Sequence, residues 1–239
     1  MAHLGGLQFN PSTNEPFLRL RKHPNIIITP PRSTDVPFIV PLLNDQRVHV
    51  WLLSPPYPYN EEHARQFIDA VKPNCDQSLE HFLRATQLGV EGPAIYMTHS
   101  PVRFLREIQE DGSDIFIGDI ELDRCSQVEV FLENPKVRNA ENLRLPAGCS
   151  DTVWTIGYFL APSHHGRGIM TDALESLVSE LGKPLLGIRH IVATTFFGNE
   201  GSMKVFLKNG FSLKRHLVDH VEAKGKLQSL NVFERHFID

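Results

Sequence analysis

Gly166 and Gly168 stand at the junction between a strand-like run and an amphipathic helical run in IGYFLAPSHHGRGIMTDALESLVSEL (156–181). A helix N-terminus offers unpaired N–H groups and a partial positive charge, and glycine lets a ligand approach the backbone closely. Such a junction suits the binding of a phosphate or pyrophosphate. His164 and His165 flank the turn and could add contacts, although plain solvated loop residues would look the same. Other chemistries find less support. GxxxxGK[ST] is absent, and no GxGxxG opens a first strand–helix unit. His216 and His220 are four apart but lack a third ligand, so no metal site is expected.

The helix that must carry the turn places Met170, Ala173, Leu174, Leu177, Val178 and Leu181 at helical spacing. Asp172, Glu175, Ser179 and Glu180 are left toward water, and Gly182-Lys183-Pro184 is expected to end the helix. Upstream, Ser33, Thr34 and Asp35 can cap a helix that Pro41 would bend. Asn60 caps another through Ala64, Phe67, Ile68 and Val71, which Pro73 should stop, with a short helix following around Leu79–Gln87. Strands are expected at Ala94–Thr98, Arg103–Ile108, Ile115–Leu122, Ile188–Phe196, Phe211–Leu217 and Leu230–Phe237. Asp111-Gly112-Ser113 reads as a hairpin turn, Ser202–Lys208 as a short helix, and 133–150 as a polar loop. Strands and helices without a regular βαβ rhythm predict an α+β sheet domain.

The chain has 239 residues, 41% hydrophobic and 22% charged, which is enough for a sizeable core of ordinary globular kind. A net charge of -4 without a dense Lys/Arg run argues against nucleic acid as a partner. No apolar run is long enough for a bilayer, and MAHLGGLQFNPSTNEPF lacks the pattern of a signal peptide. Cys75, Cys125 and Cys149 form neither a disulfide framework nor a zinc pattern and read as free thiols. A cytoplasmic protein without a membrane partner is the expectation.

Two motifs in order carry a resemblance. His165-Gly166-Arg167-Gly168-Ile169-Met170 is similar to a Gln/Arg-x-x-Gly-x-Gly/Ala turn, with His165 and Met170 departing from its ends. Asn199-Glu200-Gly201-Ser202 followed by Lys208-Asn209-Gly210-Phe211 is similar to Asn-x-x-Ser and Lys-x-Gly-Phe. Together they resemble the GNAT superfamily of acyl-CoA-dependent N-acetyltransferases, in its RimJ/RimL-like, ribosomal-protein acetyltransferase branch. IIITPPRSTDVPFIVPLLND (26–45) and IFIGDIEL (115–122) are similar to further segments of that branch. The resemblance implies one GNAT domain over 25–239, after an N-terminal arm (1–24) that could add an edge strand. It implies a mixed, mostly antiparallel sheet flanked by helices, with splayed central strands holding acetyl-CoA.

By the same resemblance, acetyl-CoA is the cosubstrate and a primary amine the acceptor, with a homodimer left open. Gly166, Arg167, Gly168, Ile169 and Met170, with His165 at the edge, would hold the pyrophosphate. The strand Tyr158–Ala161, with Phe159, Leu160 and Ala161 foremost, would pair with pantetheine, and Asn199 would bond the same arm. Ser202 is implied as proton donor to the leaving thiolate; by position alone it would be a helix cap. Threonine at 155 stands where many members carry a glutamate, so Glu121, Asp119 and Asp151 become the candidate general bases. Strand alternation places Asp119 and Glu121 on one face, toward either cleft or solvent. Pro55-Pro56-Tyr57-Pro58-Tyr59 could line the acceptor pocket. A non-catalytic acyl-CoA-binding module is the alternative, kept open by Met170 and Thr155.

Overall fold

The computed structural model describes residues 5–87 and 95–237. In chain order it has strands β1 (Leu7–Phe9), β2 (Pro16–Arg19) and β3 (Ile26–Thr29), then helices α1 (Val36–Asn44), α2 (Gln46–His49) and α3 (Glu61–Gln87). Strands β4 (Phe104–Ile108) and β5 (Asp114–Arg124), short helices α4 (Val128–Phe131) and α5 (Asn139–Asn142), and strand β6 (Val153–Leu160) follow. Helices α6 (Ile169–Leu177) and α7 (Lys183–Leu186), strand β7 (His190–Phe196), helix α8 (Glu200–Lys208) and strands β8 (Ser212–Ala223) and β9 (Lys226–His236) complete the chain. The strands form one nine-stranded sheet in the order β1-β2-β3-β4-β5-β6-β7-β9-β8. Among the described residues β6 and β7 are the parallel pair and the other neighbours are antiparallel. Helices on both faces make this the mixed, mostly antiparallel α+β sheet fold expected.

Each sheet face buries its own apolar set. Ile120, Leu122, Trp154 and Ile156 pack with Ala173, Leu174 and Leu177 of α6 and Phe206 of α8. On the opposite face Phe104 and Phe116 pack with Val36, Ile39 and Leu43 of α1 and Ala64 and Ile68 of α3. Farther along, Val153, Val192 and Val232 are covered by Val128 and Phe131 of α4. The arm that leads the chain adds two strands to the sheet, β1 and β2, and buries Leu7, Leu18 and Leu20 beside α6.

Several local expectations give way to packing. Pro73 lies inside α3 rather than ending it, so the two expected helices are one. A proline in a helix interior costs about 3 kcal/mol. Ile68, Cys75, Ser78 and Phe82 are buried along one stripe on both sides of it, and burying an Ile or Phe side chain recovers about 1.5–3 kcal/mol each. Gly182-Lys183-Pro184 likewise does not end its helix. The chain passes through a π turn (Val178–Gly182) into α7, with Leu181, Leu185 and Leu186 buried, and Gly187, at φ 68°, marks the left-handed end. A Cβ on Gly182 would sit 3.1 Å from Ile188 and 3.4 Å from Leu122, so this glycine serves close packing.

Asp35 stands at the N-cap of α1, but its carboxylate is spent on Arg106 at 2.6 Å and on the Arg32 N–H at 2.8 Å, not on the helix. The expected strand at 94–98 is not formed over 95–98, where the Met97 N–H donates to Leu185 O at 2.7 Å; Ala94 lies outside the described residues. Among the described residues no helix is long and apolar enough to cross a membrane.

Candidate functional site

β6 and β7 pair only from Val153–Ile156 to His190–Ala193. Beyond Ile156 the two strands part: β7 continues along β9 to Phe196, and β6 continues along β5 to Leu160. The gap widens toward the C-terminal ends of both strands and leaves backbone groups of β6 without a strand partner on that side. Their parity is set by the Ala161 N–H, which donates to Ile117 O of β5 at 2.7 Å. Alternation then turns the backbone groups of Phe159 toward β5 and those of Tyr158 and Leu160 into the gap. Of the strand Tyr158–Ala161 expected to meet a ligand, the backbone groups of Phe159 and the Ala161 N–H thus face β5, and those of Tyr158 and Leu160 face the gap. Of these groups the Leu160 carbonyl already faces His165 Nε2 at 2.8 Å.

The gap leads to the glycine turn. Gly166 and Gly168 have φ of 74° and 79°, a left-handed conformation that side chains resist. A Cβ on Gly166 would meet nothing within 4 Å, so the turn opens outward. The first inward bond of α6 is the Asp172 N–H to Gly168 O at 3.1 Å. Gly166, Arg167, Gly168, Ile169 and Met170 thus present N–H groups that have no acceptor among the described residues, a nest for an anion. Met170 does not crowd it, because its side chain is buried in the core under α6. Arg167 is exposed and sits 3.7 Å from Glu107. His164, unlike a solvated loop residue, is buried and 3.2 Å from the same carboxylate.

Asp172 is the clearest departure from the helical pattern, which turns it toward water. It is 1% exposed. Its Oδ2 accepts from the Lys22 N–H at 2.8 Å and lies 2.7 Å from His23 Nδ1. The other ring nitrogen of His23 is 3.1 Å from the carbonyl of Arg167. One imidazole therefore bridges the first helical turn and the glycine turn from behind. No local signal in the sequence points to His23, which lies in the arm.

On the β7 side of the gap, Asn199 caps α8, its Oδ1 accepting from the Ser202 N–H at 3.1 Å. This removes the capping reading of Ser202, whose hydroxyl has no partner among the described residues. The Tyr158 hydroxyl reaches the Ser202 carbonyl at 3.3 Å, and burial holds its pKa well above the ordinary phenol value.

The two strand carboxylates share a face but not an environment. Asp119 is buried, and Arg103 grips both its oxygens at 2.7 and 2.8 Å. Glu121 meets the same guanidinium at 3.1 Å yet keeps 40% of its side chain accessible. Its carboxylate lies over β6: a Cβ on Gly157 would come within 2.5 Å of Oε1. Burial among its neighbours raises the Glu121 pKa, Arg103 opposes this, and Asp119 and Asp123 add to it. Burial works against the charge of Arg103 itself, but Asp119 and Glu121 outweigh it and hold the guanidinium charged. A small cavity of about 40 Å³ beside Glu121 is lined by Val71, Asn74, Cys75, His99 and Arg103. Cys75 is buried, which pushes its thiol up to about 12. Asp151 lies at the opposite end of β6, half-exposed beside Lys136, away from the gap.

The loop before α3 is fixed by a long-range tie. Lys224, at the tip of the β8–β9 hairpin, donates to the carbonyls of Leu52 at 2.7 Å and Pro55 at 3.0 Å. In the proline-aromatic loop so held, Tyr59 is buried, whereas Tyr57 is exposed and stacks on His49 at 4.1 Å.

The chain has relatives among known proteins. The uncharacterized N-acetyltransferase YoaA of Bacillus subtilis (strain 168) is 32% identical over 78 residues, which is 33% of this chain and 44% of that protein; the match thus spans under half of the relative's length. The ribosomal L7/L12 alpha-N-protein acetyltransferase RimL superposes with a TM-score of 0.58 at 16% identity, covering 97% of this chain and all of RimL. The Microcin C7 self immunity acetyltransferase MccE, solved in complex with acetyl-CoA and AMP, superposes with a TM-score of 0.55 at 17% identity, covering 89% of this chain and 93% of MccE. At these identities the two structures speak for the fold alone. The acetyltransferase (GNAT) domain family matches residues 25–212, and with splayed strands opening on a glycine turn the chain belongs to the GNAT acetyltransferases.

Proposed function

We propose that the protein is an N-acetyltransferase that moves an acetyl group from acetyl-CoA to a primary amine by direct transfer. The observation that carries this is the gap between β6 and β7 ending at a turn of unpaired N–H groups. Gly166, Arg167, Gly168, Ile169 and Met170 receive the pyrophosphate, with Arg167 adding charge. The backbone groups of Tyr158 and the Leu160 N–H pair with the pantetheine amides as an added strand would, and the Asn199 side-chain amide bonds the same arm. A β6 N–H facing the gap polarises the thioester carbonyl as negative charge develops on its oxygen.

Glu121 takes a proton from the substrate ammonium, directly or through water, and so frees the amine to attack the thioester carbonyl; its raised pKa and partial exposure suit that exchange. Asp119 does not compete for this role. With both oxygens on Arg103 it positions the guanidinium that in turn orients Glu121. Ser202 gives its proton to the departing thiolate. A covalent acyl-cysteine route is not favoured: burial raises the thiol pKa of Cys75 and Cys125, and Cys149 lies outside both the glycine turn and the Asn199–Phe211 segment.

Release of free coenzyme A thiol over a panel of amines and peptides tests the proposal. Thiol release with at least one amine supports it. Coenzyme A binding with no release across the panel would favour the binding module, for which Thr155 in place of an acid is the observation. Gly168→Glu separates the site assignment from catalysis: it puts bulk and negative charge at the nest, so coenzyme A binding measured by calorimetry should vanish while the fold persists. Retained affinity would place the pyrophosphate elsewhere.

A further inference from the structure

His190 and His236 are direct partners in the antiparallel pairing of β7 with β9, and Glu234 lies two residues before His236. Period-two alternation puts all three side chains on one face of the sheet. The two imidazoles stack with centroids 3.9 Å apart at 20°, and each Nε2 lies 2.7 Å from the same atom, Glu234 Oε1. All three ligand atoms fall within 4.8 Å of one another. His236 Nε2 is hydrogen-bonded to that oxygen. His190 Nε2 is shielded from solvent and meets the carboxylate at contact distance without hydrogen-bond geometry. Two imidazole nitrogens thus converge on one carboxylate oxygen, one of them from a buried ring.

We propose that His190, Glu234 and His236 form a binding site for a divalent transition metal of the zinc, cobalt or nickel class. Two imidazoles and one carboxylate are borderline ligands that favour such ions over magnesium or calcium. An ion bound at about 2.0–2.1 Å from each ligand atom needs tetrahedral edges of roughly 3.4 Å. The side chains have to open by under about 1 Å from their present contact, a movement within reach of side-chain rotation. The His236 side chain is 61% exposed, which gives the ion an entry path and leaves a coordination position for water. The site lies where β6 begins, since Val153 pairs with His190, at the end of the sheet remote from the glycine turn. Bound metal there clips β9, the last strand, to β7. It is separate from the acyl-transfer machinery and does not depend on that assignment.

Titration of the untagged, metal-free protein with Co²⁺, followed by visible absorption and by calorimetry with Zn²⁺, tests the site. The expected result is about one equivalent bound, with a rise in melting temperature on adding Zn²⁺. His236→Gln and Glu234→Gln should each weaken binding by at least about tenfold and abolish the thermal rise. An unchanged far-ultraviolet dichroism spectrum and an unchanged melting temperature of the metal-free form verify that both variants fold. Binding of the same strength in the variants, or no stoichiometric binding to the wild-type chain, would overturn the proposal.

Discussion

Glu121 combines two properties that a general base needs, a pKa raised toward the working range and access to solvent for proton exchange. The raised value also fixes the sign of its effect on stability. A carboxyl that holds its proton more tightly when folded stabilises the protein below the ordinary glutamate pKa, and that contribution is lost as pH rises through the folded value. Glu121→Gln is therefore expected to lower turnover by about a hundredfold to a thousandfold while leaving the melting temperature unchanged or higher. The wild-type rate should fall on the acid side with a midpoint above the ordinary glutamate value, a limb absent from the variant. Ser202 is tested differently. With Asn199 carrying the cap, Ser202→Ala should leave α8 intact and lower kcat more than it weakens acetyl-CoA binding. Unchanged kcat in steady-state kinetics would remove the serine from proton donation.

At the scale of elements, the glycine turn is held by a brace behind it. Lys22 and His23 follow β2 and bond to Asp172, which ties the arm to the start of α6. The Arg167 carbonyl joins the brace through the second nitrogen of His23. Hydrogen bonds to a buried charge are worth about 1.5–3 kcal/mol. Asp172→Asn should accordingly weaken coenzyme A binding by about tenfold or more with helix content preserved, as calorimetry and far-ultraviolet dichroism would show. Unchanged affinity would mean that the turn holds its shape without the brace. Helical periodicity alone assigns Asp172 to solvent, because the hydrophobic pattern of α6 cannot report a polar partner from the other end of the chain. Pro73 and Gly182 mislead for a related reason: each is a local breaker, and each is overridden by apolar stripes that continue past it.

Across the whole molecule, the β8–β9 hairpin reaches back to the loop before α3 through Lys224. That tie anchors the proline-aromatic loop expected to line the acceptor pocket. Lys224→Ala should raise the KM for the amine several-fold while the coenzyme A Kd stays the same; equal changes in both would point to a general loosening. The nine-stranded sheet makes such ties possible, since its order places strands from the first and last parts of the chain on one frame.

The turn at Gly166–Met170 and the Asn199–Ser202 segment were legible from residue types and order, because glycine conformation, capping and strand-to-helix succession are local properties. So were most strands and the mixed α+β class, which follow from periodicity. Local chemistry could not choose among Asp119, Glu121 and Asp151, nor point to His23, Gly157 or the cluster of His190, Glu234 and His236. Those depend on which side chains face one another across strands. Register and burial decide that, and both arise only when distant segments pack.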